Sequence, residues 1–261
     1  MRSSSLWILA ALAASAVAAA PNPQVATEHA PQQYSHQPSG GLTVLYDQTA
    51  NDGGVGLVSQ NFEPSFDAFD SQAADDFVVT ASQGWTIQQL FVPGVYFNGA
   101  GPVNSVNVWF YQNSAGGGNP DLPGAAVCTY SNVVPTTDNA GTLTIDLPTA
   151  CILTPATYWV SVQANMDFAT GGEWGWEDDS VQATSSAAWQ NPGGGFGVGC
   201  TSWGVMQTCL GFGPDLLFQV LGTVGGGQPA LAIPALGKVG LGLLLLALAG
   251  AGVVALRGRA A

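Results

Sequence analysis

No lysine or arginine occurs between residues 21 and 237, although all 17 Asp and Glu residues of the chain lie in that stretch. The four basic residues, Arg2, Lys238, Arg257 and Arg259, occupy the two ends. A fold built from this stretch has no Lys or Arg to pair with its carboxylates or to neutralise phosphates, which excludes nucleic acid as a partner. Compaction of like charges raises carboxyl pKa values, so we expect the folded stretch to gain stability on acidification.

The first residues have the pattern of an export signal. Arg2 is followed by the apolar run Leu6–Leu12 and then by small residues as far as Ala20, including the small-x-small triplet Val17–Ala19. This order is typical of a secretory signal peptide, which we predict over residues 1–19. An uncleaved anchor is the alternative, although the apolar run is short for a membrane span.

A second apolar run closes the chain. Residues 239–256 are uncharged and would span about 27 Å as a helix, which predicts a transmembrane helix. Lys238 precedes the run, and Arg257 and Arg259 follow it as a basic tail. After an export signal, the positive-inside tendency places the two arginines in the cytoplasm and the body outside, with Lys238 at the outer interface. A buried core helix is the alternative.

The motif Ile233, Pro234, Ala235 and Leu236 precedes this helix. The motif, the glycine-containing apolar helix and the Arg-x-Arg end together resemble the IPTL-type C-terminal sorting signal of bacterial surface proteins, which is similar to the signals handled by exosortase-like membrane enzymes. The resemblance covers residues 233–261 and implies the membrane and a sorting enzyme as partners. It also implies a location in the cell envelope or release at the surface. A GPI-type lipid-anchor signal is the alternative, against which the trailing arginines argue.

Residues 42–222 show the period-two alternation of β-strands. Val106, Val108 and Phe110 alternate with other side chains, and the same pattern occurs around Ile145 and Val160. Further predicted strands are Leu42–Tyr46, Asp76–Thr80, Trp85–Val92, Ala126–Val134, Glu173–Glu177, Ala187–Gln190 and Leu216–Leu221. About ten strands without convincing helical periodicity predict an all-β fold, a single jelly-roll-like β-sandwich, with a closed barrel as the alternative. The body also looks like the ectodomains of unknown function often found ahead of such sorting tails.

The segments on either side of the body have the composition of linkers. Residues 20–41 are rich in Pro, Gln and Ser, residues 223–232 contain a run of Gly, and we expect both to be flexible. Both histidines, His29 and His36, lie in the first segment. We therefore expect no Ser-His-Asp site, Cys-His site or histidine metal site in the body. Without Lys or Arg, Schiff-base chemistry and cationic clamps are also excluded.

The chain has four cysteines, at positions 128, 151, 200 and 209. An even number in an exported protein indicates disulfides, and three pairings are possible. We expect the local pairing, Cys128 with Cys151 and Cys200 with Cys209, because a single turn separates the strands that carry the first two. The spacings do not match a zinc site.

With these sites excluded, Asp and Glu side chains are the remaining candidates for a functional site in the body. Glu173 and Glu177 would share one face of a strand about 13 Å apart, farther than a glycosidase pair requires. Glu173, Trp174, Trp176 and Asp178 together are candidates for binding a glycan, with indole faces stacking on sugar rings. The alternatives are solvated acids and core tryptophans.

A second acidic group comprises Asp67, Asp70, Asp75 and Asp76. Several carboxylates in a loop followed by a strand are candidate ligands for a calcium ion, although the EF-hand loop pattern is absent. A solvated acidic face is the alternative. No other cofactor is indicated.

We predict a non-enzymatic, exported surface protein associated with envelope or matrix polysaccharide. The alternatives are a carbohydrate-binding module or, more remotely, a two-carboxylate glycoside hydrolase.

Overall fold

The computed structural model describes residues 22–38, 40–114 and 121–225, and within these ranges the protein is all-β, as predicted. The predicted signal peptide, sorting motif, transmembrane helix and basic tail (residues 1–19 and 233–261) lie outside the described residues. Among the helices that are described, none is long and apolar enough to cross a membrane.

The described residues form short strands and three very short helical segments. The strands are β1 (Ala26–Glu28), β2 (Thr43–Gln48), β3 (Asp52–Val58), β4 (Gln60–Asn61), β5 (Gln72–Val78), β6 (Trp85–Val92), β7 (Gly94–Phe97), β8 (Ser105–Asn113), β9 (Pro123–Val133), β10 (Thr137–Asn139), β11 (Thr142–Leu153), β12 (Thr157–Asn165), β13 (Glu173–Asp179), β14 (Ala188–Gln190), β15 (Gly204–Val205), β16 (Asp215–Leu216) and β17 (Phe218–Val224). The helical segments are a 3-10 helix (Pro64–Phe69), α1 (Phe168–Gly171) and α2 (Met206–Leu210).

Three sheets organise these strands, and all but one of the strand pairs are antiparallel. The first sheet has the order β1-β3-β13-β16, with β7 also paired to β13. The second has the order β10-β11-β6-β17-β2. The third has the order β15-β14-β5-β12-β8-β9, with the parallel strand β4 attached to β12.

The alternation read from the sequence determines which side chains enter the core. Val106, Val108 and Phe110 of β8 are fully buried and belong to one large apolar cluster that draws on all three sheets. Consecutive side chains of a strand point to opposite faces, so the intervening positions form the outer face of the third sheet. There Ala74, Tyr111, Trp159 and Ala188 form a second, smaller buried cluster.

Phe77 of β5 lies where the second and third sheets meet. Its ring centroid is 6.0 Å from that of Trp85 in β6 and 6.3 Å from those of Phe110 in β8 and Phe218 in β17. Burial of a phenylalanine of this kind contributes about 2 kcal/mol. The ring therefore joins strands of the two sheets through one apolar contact set.

Both disulfides follow the local pairing expected from the sequence. Cys128 of β9 bonds to Cys151 of β11 and so connects the third sheet to the second. Cys200 bonds to Cys209 of α2 and holds the loop before that helix. All four cysteines of the chain are thus paired.

Removal of the inter-sheet disulfide should cost more stability than removal of the local one. We expect Cys128→Ala with Cys151→Ala to lower the free energy of unfolding by about 3 kcal/mol, because the bond closes a loop with a sequence separation of 23. The matched control, Cys200→Ala with Cys209→Ala, opens a loop with a separation of 9 and should cost less. Urea unfolding of both variants measures the difference, and the reverse order would contradict this assignment.

Candidate functional site

Residues 22–38, the N-terminal strap, pack along the first sheet, whereas the sequence predicts a flexible linker over residues 20–41. β1 pairs with β3 in a register that places Thr27 opposite Gly56. Beyond β1, the backbone N–H of His29 donates to the carbonyl of Gly54 (2.8 Å), and that of Gln32 donates to Asp52 Oδ2 (2.6 Å). Composition missed this order because the strap has no periodic apolar pattern and several of its bonds to the sheet come from its backbone.

The strap covers two glutamates of β13. Gln24 N and Asn98 Nδ2 donate to the two carboxyl oxygens of Glu173, at 2.8 and 2.7 Å. His29 Nε2 lies 2.8 Å from Glu177 Oε2, and the Tyr34 hydroxyl donates to Glu177 Oε1 at 3.4 Å. Both glutamates therefore face the strap, as expected for positions four residues apart on one strand.

Burial dominates the electrostatics of this face. Both glutamates have no exposed surface, and loss of solvation raises the pKa of Glu173 and of Glu177 to about 7. For His29, burial acts to lower the pKa. The hydrogen bonds to Ala30 and Glu177 and the charges of Glu177 and Asp52 outweigh it, so the pKa of His29 is raised. Loss of solvation, together with the charges of Glu177 and Asp52, also raises the pKa of Tyr34.

The position of His29 corrects the prediction that no histidine contributes to the body. The sequence assigns His29 to a flexible linker, whereas the structure places it against the buried side chain of Glu177. Within the described ranges, this contact is the one salt bridge of the protein, and it is an ion pair when His29 is protonated and Glu177 is ionised. Glu177 is nevertheless sealed by the strap, so the arrangement fastens the strap and offers a substrate no access to the carboxylate.

The predicted glycan-binding tryptophans lie in the core. Trp174 and Trp176 are fully buried, and their indole N–H groups donate to the carbonyls of Gly141 (2.8 Å) and Leu217 (2.7 Å). A sugar cannot stack on an indole that has no exposed face. Asp178, the fourth member of the candidate set, is 5% exposed and accepts from the backbone N–H of Val55 (3.0 Å). Alternation on β13 explains the outcome, since the tryptophans face away from the strap.

The structure does not bring the four candidate calcium ligands together. Asp67 lies in the 3-10 helix, and Asp70, which follows it, accepts from the backbone N–H of Phe62 (2.8 Å). Asp75 and Asp76 are adjacent on β5 and so point to opposite faces of the third sheet. Among the described residues, no group of three or more His, Cys, Asp or Glu side chains is arranged to hold a metal ion.

Although they leave opposite faces of β5, Asp75 and Asp76 both lie near Asp215, and all three side chains are buried. Asp75 Oδ2 accepts from Gln48 Nε2 (2.8 Å) and from the backbone N–H of Leu216 (2.7 Å). Among described residues, Asp76 Oδ2 and Asp215 Oδ1 are buried and have no hydrogen-bond partner. Burial, with the charge of Asp215 adding to it, raises the pKa of Asp75 well above its ordinary value, and burial raises that of Asp215 to about 7.

An open groove of about 550 Å³ runs beside the strap, between residues 32–36 and the strands β6, β7, β10 and β11. None of the side chains that line it belongs to Asp, Glu, Lys or Arg. The His36 ring stacks on Phe91 with centroids 4.7 Å apart, and its Nε2 lies 3.1 Å from Gln89 Oε1. We call this feature the strap groove.

The wall of the strap groove opposite the strap depends on a close approach between the backbone of β7 and the β10–β11 turn. A Cβ atom on Gly94 would lie 2.5 Å from Trp174 Nε1 and 2.7 Å from the Gly141 carbonyl oxygen, so only glycine lets β7 meet the β10–β11 turn. Gly141 itself has φ +103°, which favours glycine. The turn places Thr137 and Thr142 in the groove wall. Nothing in the sequence pattern connects these residues to the strap, because the contact depends on folding over long separations.

The buried carboxyls predict how stability depends on pH. Because the pKa of Glu177 is about 7 in the folded protein against its ordinary 4.5, its contribution to stability is present below pH 4.5 and lost as pH rises through 7. The loss is at most about 3 kcal/mol. We expect Glu177→Gln to flatten the fall in melting temperature between pH 5 and pH 8. His29, Tyr34, Asp52 and Asp178 are the charged or titratable groups around it.

The control for this measurement is Glu28→Gln, which changes an exposed glutamate of the same strap and removes no buried charge. Thermal melts of the wild type and both variants across pH 5–8 give the comparison. A wild-type melting temperature that drops on acidification would contradict the sign. Identical pH profiles for Glu177→Gln and the wild type would remove Glu177 as a source of the dependence.

The described chain thus presents two features beside one another: a sealed face of β13 that carries buried carboxyls, and an open strap groove lined by uncharged polar and aromatic side chains. The sealed face holds the strap in place, and the groove beside it has space for a ligand. The chain matches no protein-family model, no curated protein and no solved structure.

Proposed function

We propose that the chain is an exported, non-enzymatic surface protein whose body stands outside the cytoplasm, tethered or sorted by its C-terminal segment. The observation that carries the proposal is the pairing of all four cysteines into two disulfides, which persist in oxidising compartments. The export pattern of residues 1–19 and the apolar run of residues 239–256 support it from the sequence.

The body in this proposal is a jelly-roll-like β-sandwich formed mainly by the second and third sheets. Contacts of Phe77 with Trp85 and Phe218, and the disulfide between Cys128 and Cys151, support face-to-face packing of these two sheets. The strap and the first sheet then complete the core at one side. A domain of this kind presents a rigid body with grooves and loops at its surface.

The same observations support a non-enzymatic role over hydrolysis. A two-carboxylate hydrolase needs both groups accessible to a glycosidic bond and to water. Glu173 and Glu177 are fully buried and bonded to the strap. Association with envelope or matrix polysaccharide is the part of the proposal that requires a binding surface, and the strap groove is the surface that suits it.

Removal of the C-terminal segment tests the tether. With a stop codon in place of Val239, the protein expressed in a Gram-negative host should move from the membrane fraction to the soluble fraction. A stop codon after Arg259, which removes only the last two residues, is the matched control and should leave partition unchanged. Fractionation followed by mass measurement of each form gives the readout. Equal solubility of the truncated and the uncleaved full-length protein would contradict the tether.

A further inference from the structure

We infer that the strap groove binds an uncharged oligosaccharide segment, with the strap forming one wall of the site. This inference rests on the proposed function, since contact with envelope polysaccharide requires the body to lie outside the cytoplasm. The groove volume of about 550 Å³ lies within the range of small-molecule sites and accommodates a few sugar units.

The absence of Lys and Arg and the excess of carboxylates favour an uncharged ligand over an acidic one. The chain has no Lys or Arg between residues 21 and 237, so an acidic polysaccharide, a nucleotide or a phosphorylated ligand finds no Lys or Arg partner at the groove. The 17 carboxylates of the same stretch repel such ligands further. The acidic side chain of β10, Asp138, bonds to the Tyr96 hydroxyl and to the backbone N–H of Gly141. A neutral ligand therefore suits the groove best.

Free hydrogen-bonding groups line the groove. The side chains of Gln32, Ser35, Thr137 and Asn139 are exposed there, and none bonds to another side chain or backbone group among the described residues. Amides and hydroxyls both donate and accept, which matches the hydroxyl groups of a sugar. These four side chains come from opposite walls of the groove, so a ligand between the walls can bond to both.

Aromatic rings supply the apolar part of the site. His36 stacks on buried Phe91, and the half-buried Tyr34 ring places its hydroxyl 3.4 Å from Glu177 Oε1. Rings held in this way present faces to the C–H groups of a sugar without a further loss of side-chain freedom.

A peptide fits the groove less well. Addition of a peptide strand needs a free sheet edge with several consecutive backbone groups. Two edge strands border the groove: β7 has four residues, and β10 has three and ends at a turn in which Ala140 and Gly141 have positive φ. An extended peptide would find little backbone to pair with, whereas a sugar depends on side chains.

Binding measurements on the full chain in mild detergent test the inference. The probes are neutral hexasaccharides with β-1,4-glucose, β-1,3-glucose, α-1,4-glucose and β-1,4-mannose linkages, with hexasaccharides of hyaluronate and alginate as acidic counterparts. We expect at least one neutral probe to bind and the acidic probes not to bind. For that probe, His36→Ala and the pair Gln32→Ala with Thr137→Ala should each weaken binding by about tenfold.

The matched control is Gln207→Ala with Thr208→Ala, two exposed residues of α2 outside the groove, and it should bind as the wild type does. Thermal melts confirm that each variant is folded. Absence of binding to every neutral probe would overturn the inference, as would binding that the groove variants leave unchanged, or preferential binding of an acidic probe. None of these results alters membrane partition, so failure of the site is distinguishable from failure of the proposed export and tethering.

Discussion

Burial of carboxyl groups without Lys or Arg partners is the constraint on which the rest of the structure depends. An ionised carboxylate moved out of water loses solvation that only charge pairing, hydrogen bonds or protonation can offset. With no Lys or Arg between residues 21 and 237, hydrogen bonds, protonation and pairing with a histidine remain. Asp75 is held by Gln48 and a backbone N–H, and Asp178 by the backbone N–H of Val55.

The strap supplies His29, the histidine that pairs with the buried Glu177. Without residues 22–38, Glu173 and Glu177 would face solvent on an open side of β13, and β3 would become an edge strand. With the strap in place, Gln24 joins Asn98 in donating to Glu173, His29 and Tyr34 bond to Glu177, and β1 covers the edge of β3. The strap is therefore part of the folded unit, and its closure decides which residues remain accessible to a ligand.

The position of the strap also separates the buried acidic side chains on this side of the molecule from the uncharged side chains of the groove. The acids lie beneath the strap, where burial keeps their pKa values high. The groove beside the strap is left with amides, hydroxyls and rings. A surface of this composition recognises the shape and the hydroxyl groups of a ligand rather than its charge. The position of the strap therefore supports the proposed contact with a neutral polysaccharide.

The sequence by itself determined the all-β class, the strands around Val108, Ile145 and Val160, and both disulfides, because alternation and short cysteine separations are local properties. Only the tertiary structure decided the roles of His29 and Trp174. The strap has no periodic apolar pattern, so its docking through backbone hydrogen bonds to β3 and Asp52 leaves no signal in composition. The direction in which Trp174 points depends on which face of β13 the other sheets cover, and that is set by contacts between residues far apart in the chain.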